Sequence, residues 1–238
     1  MIEVARQAYP DRDTLMRGLA ELVADQLRAA HASRMHAAAG GRRRVTLAAP
    51  GGTTPSPFLA ALSEADLAWA DVDVLPTDER MVPEMSERAN SRLIRATLLQ
   101  NAAAAAHLLH YHPVGTRLEV FLDAIRARIA ATLPIDVLVL GMGADMHTAS
   151  LFPGAPGLAE ALAPDAPTLV RVEPPGEPEA RLTLSAPVLR AASVIHILIT
   201  GADKLAALDA ALIDGPVEAA PVRAVLTAPC PVTVHYAN

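Results

Sequence analysis

The sequence has a single cysteine, Cys230, and no long hydrophobic run. One cysteine excludes an internal disulfide and any zinc site built from several cysteines. No stretch approaches the ~18 apolar residues of a membrane-spanning helix, and residues 1–13 lack the basic segment and apolar core of a secretory signal. We therefore expect a cytoplasmic protein with no membrane partner.

Positive charge is also scarce, because 20 lysine and arginine residues stand against 26 aspartate and glutamate residues, for a net charge of −6. Bulk electrostatic binding of nucleic acid needs the opposite balance, so we expect no nucleic-acid partner. A small anion needs only local positive charge. The hydrophobic content of 52% is typical of a compact folded protein, and 238 residues without an evident linker indicate one domain, residues 1–238.

Helix and strand patterns alternate along the chain. Apolar residues at helical spacing predict helices at 12–38, 56–64, 88–99, 117–132 and 202–213. Short apolar runs predict strands at 45–49, 72–76, 137–140, 169–172, 193–200, 222–226 and 232–236. This β-α-β order predicts an α/β fold of the Rossmann-like kind, with an open, mostly parallel sheet and helices on both faces.

The most informative stretch is residues 134–154, PIDVLVLGMGADMHTASLFPG. Its strand pattern ends at Gly141 and Gly143, which allow a sharp turn at the carboxyl end of the strand, where open α/β sheets bind ligands. Asp145 and His147 follow two residues apart, so the carboxylate can fix the imidazole while its other nitrogen takes a proton. A lone loop histidine is most often a bystander, but this combination favours a catalytic base.

A second glycine turn, PGGTTP at residues 50–55, joins a predicted strand to a helix. Gly51 and Gly52 offer free backbone N–H groups and Thr53 and Thr54 offer hydroxyls, beside a helix N-terminus, and together these groups can bind phosphate. The spacing of a P-loop is absent and no lysine follows, which disfavours nucleoside triphosphates. The alternative is an ordinary strand-to-helix turn.

Residues 77–80, Thr-Asp-Glu-Arg, follow the next strand and should reach the same edge of the sheet as the two glycine turns. Asp78 and Arg80 are then either part of a surface turn with a salt bridge or part of a binding site that uses a guanidinium group. On this segment alone, the surface turn is favoured.

Lys204 is the one lysine in a chain that otherwise uses arginine. It falls in the first turn of a predicted helix, just after Gly201, where a cation opposes the helix dipole. A compact ammonium in this place indicates a role that arginine cannot fill.

Three histidines, His107, His110 and His112, raise the alternative of a metal site. His110 and His112 would share one face of an extended segment, but no cysteine and no matching acid accompany them. We expect neither a metal nor another cofactor.

Six motifs occur along the chain: PGGTTP at 50–55, W-x-x-V at 69–72, TDERMVP at 77–83, LGMGADMHTASLFPG at 140–154, RLTLS at 181–185 and G-x-x-K at 201–204. On these motifs the chain resembles the 6-phosphogluconolactonase family, within the wider group that includes glucosamine-6-phosphate deaminases. The resemblance covers nearly the whole chain. Arg80 after Asp-Glu, and Thr-Ala-Ser-Leu-Phe-Pro after His147, are similar to the lactonases. The deaminases carry a tyrosine and an Ala-Phe-Asn-Glu-Pro run at these places.

Two residues depart from the pattern of the family. Met146 stands where the family has the glycine of Asp-Gly-His, and Ala89 stands where a serine usually precedes Asn90. If Met146 must hold a positive φ, the backbone there is strained by about 1 kcal/mol or more.

The resemblance implies hydrolysis of 6-phosphoglucono-1,5-lactone to 6-phosphogluconate, in the oxidative pentose phosphate route. His147 would be the general base, with Asp145 or Asp78 orienting its ring, and N–H groups of the turn at Gly141 and Gly143 would stabilise the oxyanion. The candidate phosphate ligands are Arg80, Arg181, Lys204 and the loop formed by Gly51, Gly52, Thr53 and Thr54. We expect a small-molecule sugar phosphate lactone as the partner and a monomer or weak homo-oligomer.

Two other functions compete with this interpretation. A sugar-phosphate isomerase or deaminase of the same fold would share the phosphate site and differ at the base, and the absence of the glutamate after His147 speaks against it. A non-enzymatic sugar-phosphate sensor is the second rival, and no helix-turn-helix pattern or basic segment supports it.

Overall fold

The computed structural model describes residues 1–36, 44–111 and 118–237. The described residues form ten strands: β1 (Ala5–Ala8), β2 (Val45–Ala49), β3 (Val72–Pro76), β4 (Asp78–Arg80), β5 (His107–Leu108), β6 (Val137–Gly141), β7 (Leu169–Val172), β8 (Arg181–Leu184), β9 (Ile195–Thr200) and β10 (Val232–Ala237).

The same residues form eight α-helices: α1 (Arg12–His36), α2 (Ser56–Ser63), α3 (Asn90–Thr97), α4 (Leu118–Ala130), α5 (Leu158–Leu162), α6 (Ala186–Arg190), α7 (Ala202–Ala211) and α8 (Arg223–Leu226). Short 3₁₀ segments lie at Trp69–Asp71, Asn101–Ala105 and Val217–Ala219. The predicted helices at 12–38 and 117–132 extend partly into residues outside the described ranges; α1 fills the described part of the first, and α4 ends at Ala130, two residues before the predicted end of the second.

Seven strands form one parallel sheet in the order β1-β10-β9-β6-β2-β3-β5. Alternate side chains of a strand point to opposite faces. Leu47 and Val139 belong to the core beneath α1, α2 and α3, whereas Leu138 and Leu140 belong to the core on the other face, with α4 to α8. The predicted open parallel sheet with helices on both faces is therefore confirmed.

The order of the strands reverses between β2 and β6. From β2 the chain moves outward through β3 to β5, and β6 then returns to the opposite side of β2 and begins the outward series β6, β9, β10. Open α/β sheets bind ligands in the crevice at such a reversal, beyond the carboxyl ends of the strands. The loops that follow β2 and β6 are the two glycine turns, residues 50–55 and 141–154.

A second, antiparallel sheet of order β4-β8-β7 lies beside this crevice. The sequence indicated the strand β7, but it did not indicate that residues 78–80 and 181–184 would pair. Arg80 is directly opposite Arg181 in this pairing. The small sheet therefore brings two motifs that are a hundred residues apart in the chain to the same wall of the crevice.

The prediction of a strand at 222–226 is wrong, because residues Arg223–Leu226 form the helical turn α8. A short, fully buried apolar run has no periodicity that separates strand from helix. The Arg223 side chain decides the conformation, since its guanidinium donates to the carbonyl groups of Ala210, Ala211, Ile213 and Pro216. The edge strand β1 was not predicted; all four of its residues are exposed.

Within the described ranges, no helix combines the length and the apolar character that a membrane crossing requires.

Candidate active site

The loops at the carboxyl ends of β2, β3, β6 and β9 enclose a cleft of about 360 Å³. Eleven of the twelve predicted site residues line it: Gly51, Gly52, Thr53, Thr54, Asp78, Arg80, Gly141, Gly143, His147, Arg181 and Lys204. The twelfth, Asp145, contacts the His147 ring. The structure therefore gathers into one place the residues that the separate motifs supplied.

Asp145 holds the ring of His147. Its Oδ1 atom lies 2.5 Å from Nδ1 of His147 and also accepts the His147 backbone N–H at 3.2 Å. A carboxylate next to Nδ1 accepts a hydrogen bond from a proton on that nitrogen. This favours the tautomer whose lone pair is on Nε2. His147 lines the cleft, so this nitrogen can accept a proton from a molecule bound there.

Gly143 must be a glycine for this pair to form. A Cβ atom at Gly143 would lie 2.3 Å from Nδ1 of His147 and 2.4 Å from Oδ1 of Asp145. Its backbone N–H donates to the carbonyl of His147 at 3.0 Å, which closes the turn. This N–H group, for which an oxyanion role was expected, therefore already has an acceptor within the loop. The carbonyl of Gly141 accepts the hydroxyl of Thr148 at 2.9 Å.

Phe152 packs on the His147 ring, a contact that the sequence did not indicate. The ring centroids are 4.2 Å apart and the ring planes are tilted by 31°. The guanidinium carbon of Arg181 lies 6.0 Å from the centroid of the same phenyl ring. Phe152 therefore contacts His147 and lies close to the Arg181 guanidinium. The signal available in the sequence was its place in the TASLFPG motif.

The loop that carries His147 contains two non-glycine residues with left-handed backbone. Met146 has a φ of 64° and Ala149 a φ of 48°. The family glycine that Met146 replaces is thus at a position where an L-residue is disfavoured, as the sequence suggested. The carbonyl of Met146 accepts the N–H of Val222 at 3.0 Å, so the residue before α8 supports this loop.

Asp78 is bonded elsewhere than to His147. It is buried, and its two carboxylate oxygens accept the hydroxyls of Ser150 at 2.6 Å and Thr77 at 3.2 Å. Nη1 of Arg181 is 3.8 Å away. Of the two carboxylates expected to orient the His147 ring, Asp145 makes the contact, whereas Asp78 is bonded to Ser150 and Thr77.

Glu79, between two site residues, supports a helix. Its carboxylate is buried and accepts the backbone N–H groups of Arg80, Asn90 and Ser91 at 2.7–2.8 Å. Two of these N–H groups belong to the first turn of α3, where an anion is favoured by the helix dipole. Glu79 thereby fixes α3 against the strand that carries Arg80.

Asn90 connects three parts of the site and was missed as a site residue. Its side chain accepts from Nη1 of Arg80 at 3.0 Å and donates to the carbonyl of Asp78 at 2.9 Å. A Cβ atom at Gly51 would lie 2.1 Å from the Asn90 amide, so the first glycine turn packs directly on it. Gly52, the next residue, has a φ of 96°. Glycine is required at both positions, for different reasons.

Arg80 and Arg181 form a pair of neighbouring cations. Burial, and then the charge of Arg181, lower the pKa of Arg80. Within the described residues the buried Nε atoms of both arginines lack a hydrogen-bond partner. Two adjacent guanidinium groups with unused N–H donors favour an anionic ligand in the cleft.

Lys204 lies in the first turn of α7 and lines the cleft beside the first glycine turn. No hydrogen bond or ion pair engages its ammonium among residues 1–36, 44–111 and 118–237. The ammonium of Lys204 is therefore available to bind an anion in the cleft.

Of the three histidines of the metal alternative, His107 and His110 do not line this cleft. His107 lies on β5, at the edge of the sheet, and His112 is outside the described residues. In the part of the chain that the structure describes, no three histidine, cysteine or acidic side chains are arranged to hold a metal ion.

Comparisons with known proteins identify the relatives of this chain. Residues 10–234 match the family described as glucosamine-6-phosphate isomerases/6-phosphogluconolactonase. The chain is 44% identical to the 6-phosphogluconolactonase of Mesorhizobium japonicum, over 97% of this chain and 94% of that one. It is 43% identical to the 6-phosphogluconolactonase of Pseudomonas aeruginosa, over 98% and 94%.

Solved structures have the same fold. A 6-phosphogluconolactonase from Shewanella baltica matches with a TM-score of 0.92 and 32% identity, over the full length of both chains. The 6-phosphogluconolactonase of Trypanosoma brucei matches with a TM-score of 0.81 and 22% identity, over 100% of this chain and 97% of that one. With a family match across almost all of the sequence and relatives above 40% identity, the chain belongs to the glucosamine-6-phosphate isomerase/6-phosphogluconolactonase family.

Proposed function

We propose that this protein is a 6-phosphogluconolactonase, which hydrolyses 6-phospho-D-glucono-1,5-lactone to 6-phospho-D-gluconate in the oxidative pentose phosphate pathway. The observation that carries the proposal is the Asp145–His147 pair, which presents one imidazole nitrogen to a cleft that also holds Arg80, Arg181 and Lys204. A base and a group of cations suit a substrate with a reactive carbonyl at one end and a phosphate at the other.

His147 acts as the general base. Nε2 takes a proton from a water molecule as its oxygen attacks C1 of the lactone, and the electrons of the C=O bond move to the carbonyl oxygen. When the tetrahedral intermediate collapses, the bond from C1 to the ring oxygen breaks and the imidazolium returns its proton to that oxygen. Asp145 stabilises the imidazolium between the two steps and keeps the ring in place.

The oxyanion needs hydrogen-bond donors that the ground state does not use. Because the N–H of Gly143 is bonded to His147, we assign this role to the guanidinium group of Arg80, which lines the cleft. A fixed cation near developing negative charge contributes more than a neutral donor.

The phosphate contacts Lys204, Arg181 and the loop at Gly51, Gly52, Thr53 and Thr54. Lys204 is the strongest candidate because its ammonium has no partner in the described part of the chain. The loop contributes the hydroxyls of its two threonines and backbone that Gly52, with a φ of 96°, can shape around an anion. The phosphate contacts hold the lactone so that C1 faces His147.

Hydrolysis of freshly prepared 6-phosphogluconolactone by the purified protein tests the proposal, with acid release recorded against the spontaneous rate in the same buffer. The parent should exceed this rate by orders of magnitude, and His147→Ala should lower kcat by about 10²–10⁴ with little change in KM. Ammonia release from glucosamine 6-phosphate, or a His147→Ala variant within tenfold of the parent, would contradict it.

The cytoplasmic location, the monomeric or weakly associating state and the absence of a metal requirement are further parts of the proposal. Prolonged treatment with EDTA should leave hydrolysis unchanged.

A further inference from the structure

A carboxylate occupies the edge of the cleft next to its most buried cation. Glu177 lies between β7 and β8 and lines the cleft. One of its oxygens, Oε2, is 3.3 Å from Nη2 of Arg181 and 3.2 Å from Nη2 of Arg88. A single carboxylate oxygen is thus shared between one guanidinium inside the cleft and another outside it.

The two arginines differ in burial. The Arg181 side chain is 7% exposed and the Arg88 side chain 45% exposed. Within the cleft, Arg181 also faces Asp78 at 3.8 Å. With Glu177 and Asp78 beside it, the charge of Arg181 is already balanced before a ligand arrives, and a phosphate that approaches Arg181 meets the repulsion of the Glu177 carboxylate.

Glu177 has a second cationic partner, Arg88. Arg88 already donates to it, and Arg88 lies outside the lining of the cleft, where it also pairs with Glu179. The Glu177 side chain is 43% exposed, and its neighbour Gly176 has a φ of 75° with open space around it. Moving the carboxylate from Arg181 to Arg88 therefore disturbs no packed core.

We propose that Glu177 is an internal competitor for phosphate and thereby a specificity-determining residue. It occupies Arg181 in the free protein and passes entirely to Arg88 when a phosphate binds Arg181. A dianionic phosphate displaces the carboxylate, whereas a ligand without phosphate cannot. The identity of the natural ligand as a sugar phosphate rests on the proposed function, but the competition itself concerns any phosphate in the cleft.

Binding of inorganic phosphate, measured by calorimetry at fixed pH and ionic strength, tests the competition without any lactone. Glu177→Gln keeps the size of the side chain and removes its charge, so it should tighten phosphate binding by about threefold to tenfold, the range that a partly exposed ion pair supports. Glu173→Gln is the matched control. It removes the same charge from the same segment, at a residue that pairs with Arg171 away from the cleft, and should leave phosphate affinity unchanged.

Arg88→Ala supplies the second arm. Without Arg88 the carboxylate has only Arg181, so phosphate should bind severalfold more weakly than to the parent, and this loss should shrink when Glu177→Gln is also present. Unchanged or weaker phosphate binding in Glu177→Gln, or equal losses from Arg88→Ala in both backgrounds, would overturn the inference. These measurements need no turnover. If the protein failed to hydrolyse the lactone, the proposed function would be refuted, but the phosphate affinities would still test the role of Glu177.

Discussion

The position of one proton decides whether His147 can act as a base. In the neutral tautomer with the proton on Nδ1, His147 donates to Asp145, and the lone pair of Nε2 is available to a ligand in the cleft. In Asp145→Asn the amide can donate to Nδ1, which favours the proton on Nε2 and removes the basic lone pair from the cleft. We expect kcat to fall by between about tenfold and a thousandfold, with phosphate affinity unchanged.

Initial rates over a series of lactone concentrations measure this effect, and phosphate calorimetry checks that the cleft is intact. Asp145→Glu retains a carboxylate and should recover part of the rate. Parent activity in Asp145→Asn would show that the orientation of the ring does not depend on this contact.

Substitution of Lys204 should weaken the positioning of the substrate without removing the group that reacts with the lactone. In the proposed mechanism its ammonium binds the phosphate and not the reacting carbonyl. Without it the lactone can still react, but it should be held less well in the orientation for attack. A charge-assisted hydrogen bond contributes about 1.5–3 kcal/mol, so Lys204→Ala should reduce kcat/KM for the phosphorylated lactone by roughly tenfold to a few hundredfold.

Unphosphorylated gluconolactone is the control substrate for Lys204, because it has the carbonyl and lacks the phosphate. Its slow hydrolysis should be nearly unaffected by Lys204→Ala and abolished by His147→Ala. If Lys204→Ala reduced both substrates equally, the phosphate role would be refuted. Lys204→Arg should recover only part of the activity, because a planar guanidinium cannot replace a compact ammonium next to a helix N-terminus.

The sequence predicted the cleft-lining residues that belong to motifs next to strand ends, because loops at the carboxyl ends of parallel strands must converge. Glu177 and Asn90 were missed for a different reason. Each acts through partners distant in the chain: Glu177 through Arg88, and Asn90 through Gly51. Such contacts depend on the pairing of β4 with β8 and on the packing of α3, which local patterns do not encode.

At the scale of elements, the loop after β6 is the strained part of the site. Met146 holds a φ of 64°, a conformation that costs an L-residue about 1–2 kcal/mol and costs glycine little. Comparing Met146→Gly with Met146→Ala cancels the loss of the methionine side chain. We expect the glycine variant to be more stable than the alanine variant by about 1 kcal/mol in urea unfolding.

The same exchange on a helix gives the matched control for Met146. Ala29→Gly lies on an exposed position of α1, where glycine costs about 1 kcal/mol relative to alanine, so the sign there should be opposite. A glycine variant at 146 that is no more stable than the alanine variant would mean that the loop does not store strain at this residue.

The elements that the sequence predicted well are those whose pattern is long or unambiguous. Strands β2, β3 and β7 have the predicted bounds; each is rich in β-branched and other apolar residues and is followed closely by proline, glycine or another turn residue. The error at residues 222–226 arose in a segment that follows a proline and is buried throughout, and in which Arg223 donates hydrogen bonds to distant carbonyl groups. Tertiary hydrogen bonds, rather than local preference, set the conformation of that segment.

At the scale of the whole molecule, a buried chain of polar groups connects the outer strands of the sheet to α1. Tyr9 Oη lies 3.1 Å from Nδ1 of His235, whose Nε2 is 3.0 Å from Nδ1 of His196, and Nε2 of His196 is 2.7 Å from Oε1 of Gln26. One set of protons satisfies all three contacts: Tyr9 donates to His235, His235 donates to His196, and His196 donates to Gln26. Both histidines must be neutral for this arrangement.

Burial keeps both histidines neutral. It lowers the pKa of His196 to about 3, with a further contribution from His235, and it lowers the pKa of His235 to about 4. In the unfolded chain each would have a pKa of about 6.5. Below that pH both histidines bind a proton in the unfolded state but stay neutral in the folded state. The free energy of unfolding therefore falls as the pH drops from about 6.5 toward 4. The slope is about 1.4 kcal/mol per pH unit for each histidine.

The double variant His196→Gln/His235→Gln should flatten this dependence, because glutamine can hydrogen bond and does not titrate in this range. Urea unfolding at pH 7 and pH 5 should show that the parent loses about 2–4 kcal/mol more than the double variant over this interval. The comparison uses the change with pH, so a lower stability of the variant at pH 7 does not affect it, and the carboxylates common to both proteins cancel. Parallel stability curves for the two proteins would mean that the buried histidines do not make the sheet sensitive to acid.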